Sequence, residues 1–201
     1  IKNRSESILM TSFLVVIEDN RGSVHRMSKE AIAGAQNLDG NVTALALGEN
    51  AESLAQELSS FEIDKTLIVN NDMVLTYNSD GYTEVVTKVI QSIDPDVIIA
   101  GHSYQTRDFM PRVSARLDIP FISDVTMVDG GNYIKQVLNA KLNCTISSSS
   151  EKKILSFQSA CFSEEDIQNG SNSSETIDIE LDSSKVEINF GRTFSGERFG
   201  N

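Results

Sequence analysis

The stretch "DVIIAGHSYQTRDFMPRVSARLDIPFISDV", residues 96–125, decides the fold. It opens with a continuous apolar run that ends in glycine. Phe109, Val113 and Leu117 then recur every four residues, which indicates one face of a helix. A second strand-like run closes in Ser-Asp. Strands that are apolar throughout, rather than alternating, are typical of a parallel sheet covered by helices on both faces.

The charged residues of this helix leave two interpretations open. Asp108, Arg112 and Arg116 lie four residues apart, in the acid-before-base order that stabilises a helix. If Asp108 caps the helix, Pro111 falls in the first turn, where a missing N–H is tolerated. The stripe then predicts either a salt-bridge ladder or an anion site, because a helix N-terminus beside arginines suits a phosphate.

Upstream of this unit, apolar runs alternate with segments of helical period. The runs predict strands at residues 12–17, 41–47, 65–70 and 95–101, and the periodic segments predict helices at residues 27–38, 50–61 and 82–93. Ser28 is the expected N-cap of the first helix. The alternation predicts a three-layer α/β/α sandwich around a mostly parallel sheet.

The pattern changes after Asp124. Residues 124–162 alternate more, turn at Gly130 and Gly131, and contain no helical segment, which predicts an antiparallel ribbon added to the sheet. Residues 163–184 are polar and low in complexity, as in a linker or extension. We therefore expect an α/β domain over residues 1–162, this linker, and the start of a second domain over residues 185–201.

Composition excludes several classes of protein. The 201 residues include 29 acidic and 17 basic ones, for a net charge of −12, which argues against a nucleic-acid or anionic-membrane binder. No apolar run approaches the length of a membrane span, and an intracellular location is expected, with Met10 as one possible start. Cys144 and Cys161 are too few and too distant for a zinc or redox motif, so buried free thiols are expected.

Ligands of such sheets bind at the carboxyl ends of the strands. Here those ends are residues 18–23 and 101–108, and neither has the glycine spacing of a dinucleotide loop or a Walker motif. His102, beside Ser103 and within reach of Asp108, is a catalytic candidate without an identifiable nucleophile elbow.

The loop after the first strand offers a weaker candidate. Glu18 and Asp19 are a conceivable metal pair, although two neighbouring acids without further ligands are normally a charged loop. His25 is expected to be a solvated side chain.

Four segments together resemble the alpha subunit of electron transfer flavoprotein. They are "FLVVIEDNRGSV" with "EAIAGAQNL", the 96–125 stretch, the hairpin region "YIKQVLNAKLNCTISSSSEKKILSFQSACF", and "SKVEINFGRTFSGERF". The combination of Pro-Arg-Val-x-Ala-Arg-Leu with Ser-Asp-Val is specific to this family. The resemblance covers residues 12–199, and the implied fold is adenine-nucleotide-hydrolase-like.

The resemblance implies an electron carrier and no enzyme. The first domain would be a scaffold that packs on the beta subunit, and FAD would sit on the second domain. Implied partners are acyl-CoA or other dehydrogenases and a quinone oxidoreductase, as in fatty acid beta-oxidation, in a bacterial cytoplasm or a mitochondrial matrix.

Two departures from the family pattern affect the cofactor. Thr106 stands where the family has glycine, and "NFGRT" replaces its Gly-Gly-Arg-Gly loop. Only Arg192 matches a family residue that contacts the flavin, so this chain as given is not expected to hold FAD tightly. The alternatives are a nucleotide-binding domain of universal-stress-like type and a heterodimer scaffold without a flavin domain.

Overall fold

A computed structural model describes residues 10–182, 184 and 186 of the chain. Within them, nine strands form one sheet in the order β7-β6-β5-β8-β4-β1-β2-β3-β9. The strands are β1 (Thr11–Val16), β2 (Gly40–Leu47), β3 (Lys65–Val69), β4 (Val97–Gly101), β5 (Phe121–Asp129), β6 (Asn132–Val137), β7 (Leu142–Ile146), β8 (Lys153–Phe157) and β9 (Ser173–Thr176). The helices are α1 (Arg26–Asn37), α2 (Ala51–Leu58), α3 (Ser79–Ile93) and α4 (Tyr104–Leu117). Two short 3₁₀ helices lie at Asp72–Val74 and Glu164–Asp166.

Two apolar cores lie on the two faces of the sheet. The first packs α1 and α2 onto one face, and Ile32 and Leu54 are among its fully buried side chains. The second packs α3 and α4 onto the other face, with Val86 and Met110 fully buried. The helices lie on two faces because the chain first adds strands in one direction across the sheet, from β1 to β3, and then crosses back past β1 to add β4 on the other side. Since crossover connections are right-handed, helices that connect strands in opposite directions across the sheet cover opposite faces. The three-layer α/β/α prediction is confirmed.

The antiparallel ribbon is present, but it is shorter than predicted. β5, β6 and β7 pair antiparallel, and the predicted turn at Gly130 and Gly131 joins the first two with φ of +53° and +82°. Residues 153–157 were expected in the ribbon, which is wrong: β8 inserts between β5 and β4 and is parallel to both. The burial of its apolar side chains on both faces is the reason, since Leu155 and Phe157 belong to the first core and Ile154 to the second.

The polar segment after residue 162 also lies against the sheet. Its residues Ser173–Thr176 form β9, which pairs parallel with β3. Beyond β9, Ile177, Ile179 and Leu181 pack on the second core. The Asn71 side chain donates to the Ile179 carbonyl at 3.0 Å. The composition of this segment did not predict the strand, and the division of the chain into domains remains a prediction.

The N-terminus of α1 differs from the expectation. The cap is His25, whose Nδ1 accepts from the Met27 N–H at 3.2 Å, and Ser28 is not the cap. Ser28 is buried in the first turn, where its Oγ accepts from the Glu18 N–H at 2.9 Å. His25 is therefore a capping residue and not merely a solvated side chain. None of the helices in the described part of the chain is both long and apolar enough to cross a membrane.

Candidate functional site

The carboxyl ends of β1 and β4 form the main candidate site. These two strands are parallel neighbours, and the strand order reverses between them, so the loops at residues 18–23 and 101–108 meet at one edge of the sheet. A crevice of about 380 Å³ opens there. Its lining consists of Glu18, His25, Met27, His102, Ser103, Tyr104 and Arg107.

His102 stands at the inner wall of this crevice. Its Nδ1 lies 2.9 Å from the Ser156 Oγ, and its Nε2 lies 3.8 Å from the Asp124 Oδ1. Burial lowers the pKa of His102, and the Asp124 carboxylate opposes this shift only in part. The imidazole is thus held neutral at pH 7 and bonded to a serine.

The serine that contacts His102 cannot act as a nucleophile. Ser156 lies inside β8 with no exposed surface. Its Oγ also accepts from the Asp124 N–H at 3.2 Å, where Asp124 has a left-handed φ of +63° beside a register shift in β5. A buried hydroxyl that fixes a strained backbone turn is a structural link. The arrangement resembles a serine, histidine and aspartate set in composition only.

Asp108, which the sequence placed within reach of His102, bonds elsewhere. It accepts from the Tyr77 hydroxyl at 2.7 Å, on the side of α4 that faces the segment before α3. Ser103 is the N-cap of α4, and its Oγ accepts from the Thr106 N–H at 3.1 Å. Asp108 is therefore not the cap, and Pro111 lies in the middle of the helix rather than in its first turn.

The arginine stripe of α4 forms ion pairs with the neighbouring helix. Arg112 donates to Asp80 at 2.8 Å, and Arg116 donates to Glu84 at 2.6 Å. The pair within α4, Arg112 with Asp108, is looser at 4.0 Å. Of the two open interpretations, the ladder is confirmed. The anion site is wrong, because each guanidinium already faces a carboxylate of α3 that would repel an anion.

The acidic loop after β1 is also used structurally. Asp19 Oδ1 accepts from the Gly22 N–H at 2.6 Å, and its Oδ2 accepts from the Asn50 side chain at 2.8 Å. Among the residues that the structure describes, no group of three or more His, Cys, Asp or Glu could hold a metal ion. The Asp19 carboxylate thus positions the loop.

The two cysteines differ from each other. Both are free thiols, but Cys144 is exposed on β7, so the expectation that it is buried is wrong. Cys161 is half-buried. Burial, with a smaller contribution from Glu30, raises its pKa to about 11, so its thiol is unreactive at neutral pH.

The crevice does not fit a flavin dinucleotide. Such a ligand needs backbone N–H groups that cradle two phosphates, as a glycine-rich loop at a helix N-terminus provides. Here Glu18 faces the crevice, and α1 begins behind a histidine cap. The crevice therefore does not supply the phosphate cradle that FAD needs. Arg192, the residue expected to contact flavin, lies outside the described residues.

The fold is an α/β sandwich in which polar groups at the carboxyl ends of β1 and β4 bond to neighbouring segments of the same chain. The chain belongs to the electron transfer flavoprotein domain family, whose model matches residues 13–183. This finding confirms the resemblance drawn from the sequence.

Relatives in several organisms are named as electron-transfer subunits. The chain is 37% identical over 125 residues to the electron transfer flavoprotein subunit alpha of Bacillus subtilis, covering 60% of this chain and 38% of that protein. It is 29% identical over 184 residues to a probable mitochondrial alpha subunit of Saccharomyces cerevisiae, covering 89% and 53%. It is 27% identical over 128 residues to the acryloyl-CoA reductase electron transfer subunit beta of Anaerotignum propionicum, covering 64% and 32%.

These relatives are electron-transfer subunits, that is, electron carriers rather than enzymes. This chain spans between about a third and about half of the length of each of these relatives.

Proposed function

We propose that this chain supplies the N-terminal scaffold domain of an electron transfer flavoprotein alpha subunit. In this role the domain pairs with a beta subunit and positions a flavin-bearing module, and it performs no bond-making itself. Residues 1–162 form the scaffold, residues 163–184 a linker or extension, and residues 185–201 the start of the flavin domain. The family match over residues 13–183 is the observation that carries the proposal.

The polar contacts of the described residues support a structural role. The arginines of α4 are paired with α3, His102 is bonded to a buried serine, and Asp19 fixes its own loop. FAD, held outside the described residues, would supply the redox chemistry, and the protein would set its position and potential. These charged groups are paired with each other and are therefore not available to a substrate. The described residues would thus contribute structural support to the flavin-bearing module.

The wider assignments follow from the family. Electron donors would be acyl-CoA or other dehydrogenases, which the acryloyl-CoA reductase name of one relative supports. A quinone oxidoreductase would be the acceptor, as in fatty acid beta-oxidation. Bacterial and mitochondrial relatives support a bacterial cytoplasm or a mitochondrial matrix.

A co-purification experiment tests this function. The tagged chain is co-expressed with an electron transfer flavoprotein beta subunit, and the isolated chain is titrated with FAD and AMP while intrinsic tyrosine fluorescence is followed. We expect stable capture of the beta subunit and no saturable response of the isolated chain to either nucleotide. Failure to capture any beta subunit, together with tight AMP uptake, would favour a nucleotide-binding domain of universal-stress-like type instead.

A further inference from the structure

The base of the antiparallel ribbon is a bulge in β5. From Ile122 to Val125, β5 advances by three residues while its partner β8 advances by two, from Leu155 to Phe157. Asp124 lies inside this bulge with a φ of +63°, a left-handed conformation that residues other than glycine adopt only occasionally. Because a bulge bends the strand that carries it, β5 changes direction at this point, between the sheet and the ribbon.

The ribbon depends on this bulge for its backbone connection to the sheet. In the described sheet, β7 pairs with β6 and β6 pairs with β5, so β5 alone joins the ribbon to β8. Side-chain packing adds to this connection, since Val125, Tyr133 and Ile146 contact the first core. A change in the backbone at the bulge is therefore transmitted to the ribbon.

One buried hydroxyl holds the bulge. Within the described residues, the Ser156 Oγ has two polar contacts: it accepts from the Asp124 N–H at 3.2 Å and lies 2.9 Å from the His102 Nδ1. The Asp124 carboxylate lies 3.8 Å from the other ring nitrogen, Nε2, and favours a hydrogen there. The neutral ring thus carries its hydrogen on Nε2, and the Ser156 hydroxyl donates to Nδ1. The hydroxyl is then satisfied both as a donor and as an acceptor.

Protonation of the ring breaks this arrangement. A protonated His102 donates from both nitrogens, so Nδ1 no longer accepts from Ser156. The Ser156 hydrogen loses its acceptor inside β8, and a buried donor without an acceptor is unfavourable. At the same time the charged ring attracts the Asp124 carboxylate. Both effects act on Asp124, because the first disturbs the hydroxyl that holds its backbone and the second draws its side chain toward the ring.

The surroundings of the ring decide when it takes up a proton. The charged and titratable side chains around it are Asp124 of β5, Arg107 of α4, Lys135 of β6, and Glu18 and His25 of the loop after β1. Burial lowers the pKa of His102 most, the carboxylate of β5 raises it, and the cations of α4 and β6 lower it. Since the resulting pKa lies below the ordinary value of 6.5, the ring is neutral at pH 7 and becomes protonated only in more acidic solution.

From this geometry we propose that His102, Ser156 and Asp124 form a pH-sensitive hinge at the base of the ribbon. The neutral ring holds the bulge through the Ser156 hydroxyl, and the protonated ring releases the Asp124 backbone and binds the Asp124 carboxylate instead. Acid therefore loosens the ribbon relative to the sheet while the parallel strands stay in place. The hinge is a property of the chain alone, so it does not depend on the function proposed above.

NMR of the isotope-labelled, unsubstituted chain tests the hinge without any substitution. At pH 7 the ring nitrogens of His102 are expected to show the tautomer with its hydrogen on Nε2. As the pH is lowered to the onset of acid unfolding, the Asp124 amide is expected to shift with the same midpoint as the ring. Its protection against hydrogen exchange is expected to fall about tenfold, as the loss of one buried hydrogen bond implies. The amides of Leu14 and Ile98, buried and paired with each other in the centre of the sheet, are expected to keep their protection.

Two substitutions of the same kind separate the hinge from general effects of acid. Asparagine places its Oδ1 where histidine has Nδ1, so it keeps the acceptor and removes the titration. The His102→Asn chain is expected to protect the Asp124 amide equally at every pH at which it is folded. His25→Asn is the control, because the His25 Nδ1 also accepts one hydrogen bond, from the Met27 N–H at 3.2 Å, and asparagine is a good N-cap. This control is expected to leave the pH response of the Asp124 amide unchanged.

Several results would overturn the inference. The first is a His102 ring that carries its hydrogen on Nδ1 at pH 7, or that stays neutral until the chain unfolds. The second is an Asp124 amide that keeps its protection while the ring is protonated, or whose pH response persists in His102→Asn. Loss of protection at Leu14 and Ile98 together with Asp124 would mean that acid opens the whole sheet and not the hinge. If His102→Asn does not fold, the titration of the unsubstituted chain decides alone.

Discussion

Replacing Arg116 by methionine is expected to destabilise the domain, while the same change at Arg112 is expected to be nearly silent. Both arginines come from α4, and both donate to a carboxylate of α3. The environments differ. The Glu84 side chain is 8% exposed and Arg116 38%, whereas Asp80 is 30% exposed and Arg112 51%. Methionine keeps much of the aliphatic packing of arginine, so the change isolates the charge.

The magnitude follows from burial. Removing one partner of a fully buried ion pair costs about 3–5 kcal/mol, because a charge is left unpaired. Arg116 is partly solvated, and Lys88, 3.7 Å from Glu84, still partly neutralises the Glu84 charge when Arg116 is removed. We therefore expect Arg116→Met to lower the free energy of unfolding by about 2 kcal/mol. The exposed pair of Arg112 is worth roughly 1 kcal/mol or less.

Urea unfolding followed by circular dichroism measures both variants. With a slope of about 2 kcal/mol per molar urea, the midpoint is expected to fall by about 1 M for Arg116→Met and by less than about 0.5 M for Arg112→Met. Adding Glu84→Gln to Arg116→Met removes the stranded charge, so the double variant is expected to lose less than the sum of the two single changes. Equal losses for the two arginine variants, or strict additivity in the cycle, would show that burial of the Glu84 charge does not set the loss of stability.

Three further predictions concern other contacts. Gly101→Ala would place a Cβ 2.5 Å from the Met27 Cβ and 3.1 Å from its backbone, and is expected to cost about 1–3 kcal/mol in urea unfolding; an unchanged midpoint would contradict this packing. Burial lowers the pKa of His102, so as the pH falls the unfolded chain binds a proton at this histidine before the folded chain does. The melting temperature is therefore expected to fall as pH drops below 6.5, and thermal melts between pH 7 and 5 should show a weaker dependence for His102→Gln. Hydrogen bonds from the Ser12 N–H and Oγ lower the pKa of Asp96 below 3.8, so the ionised carboxylate stabilises the fold above that pH and this stabilisation is lost below it. The difference in melting temperature between the unsubstituted chain and Asp96→Asn should therefore close as pH falls from 5 to 2. A constant difference would contradict this role of the two Ser12 hydrogen bonds.

The sequence predicted the layers of the fold because each of the four helices, and each of the strands β1 to β4, carries its own apolar pattern. It did not predict the position of β8, since an isolated apolar run does not state which strands it will lie between. It also missed β9, whose residues Ser173–Thr176 have no apolar pattern and are held by backbone pairing with β3. Local pattern thus predicts elements better than it predicts their neighbours in the sheet.

The same limit applies to the candidate site. The spacing of Arg112 and Arg116 showed a charged stripe, but their partners lie 32 residues earlier on α3 and depend on how the two helices pack. His102 was singled out as a catalytic candidate at the strand end, and the structure instead places its ring beside a buried serine. Its partner Ser156 could not be found, because it is one polar residue inside an apolar strand that the fold brings beside β4.

In the role proposed above, this chain acts by binding a partner subunit. Light scattering coupled to gel filtration tests it most directly, with the chain and an electron transfer flavoprotein beta subunit mixed in equal amounts. We expect a single species whose mass equals one copy of each chain. Two separate peaks at the masses of the free chains, at concentrations well above a micromolar affinity, would contradict it.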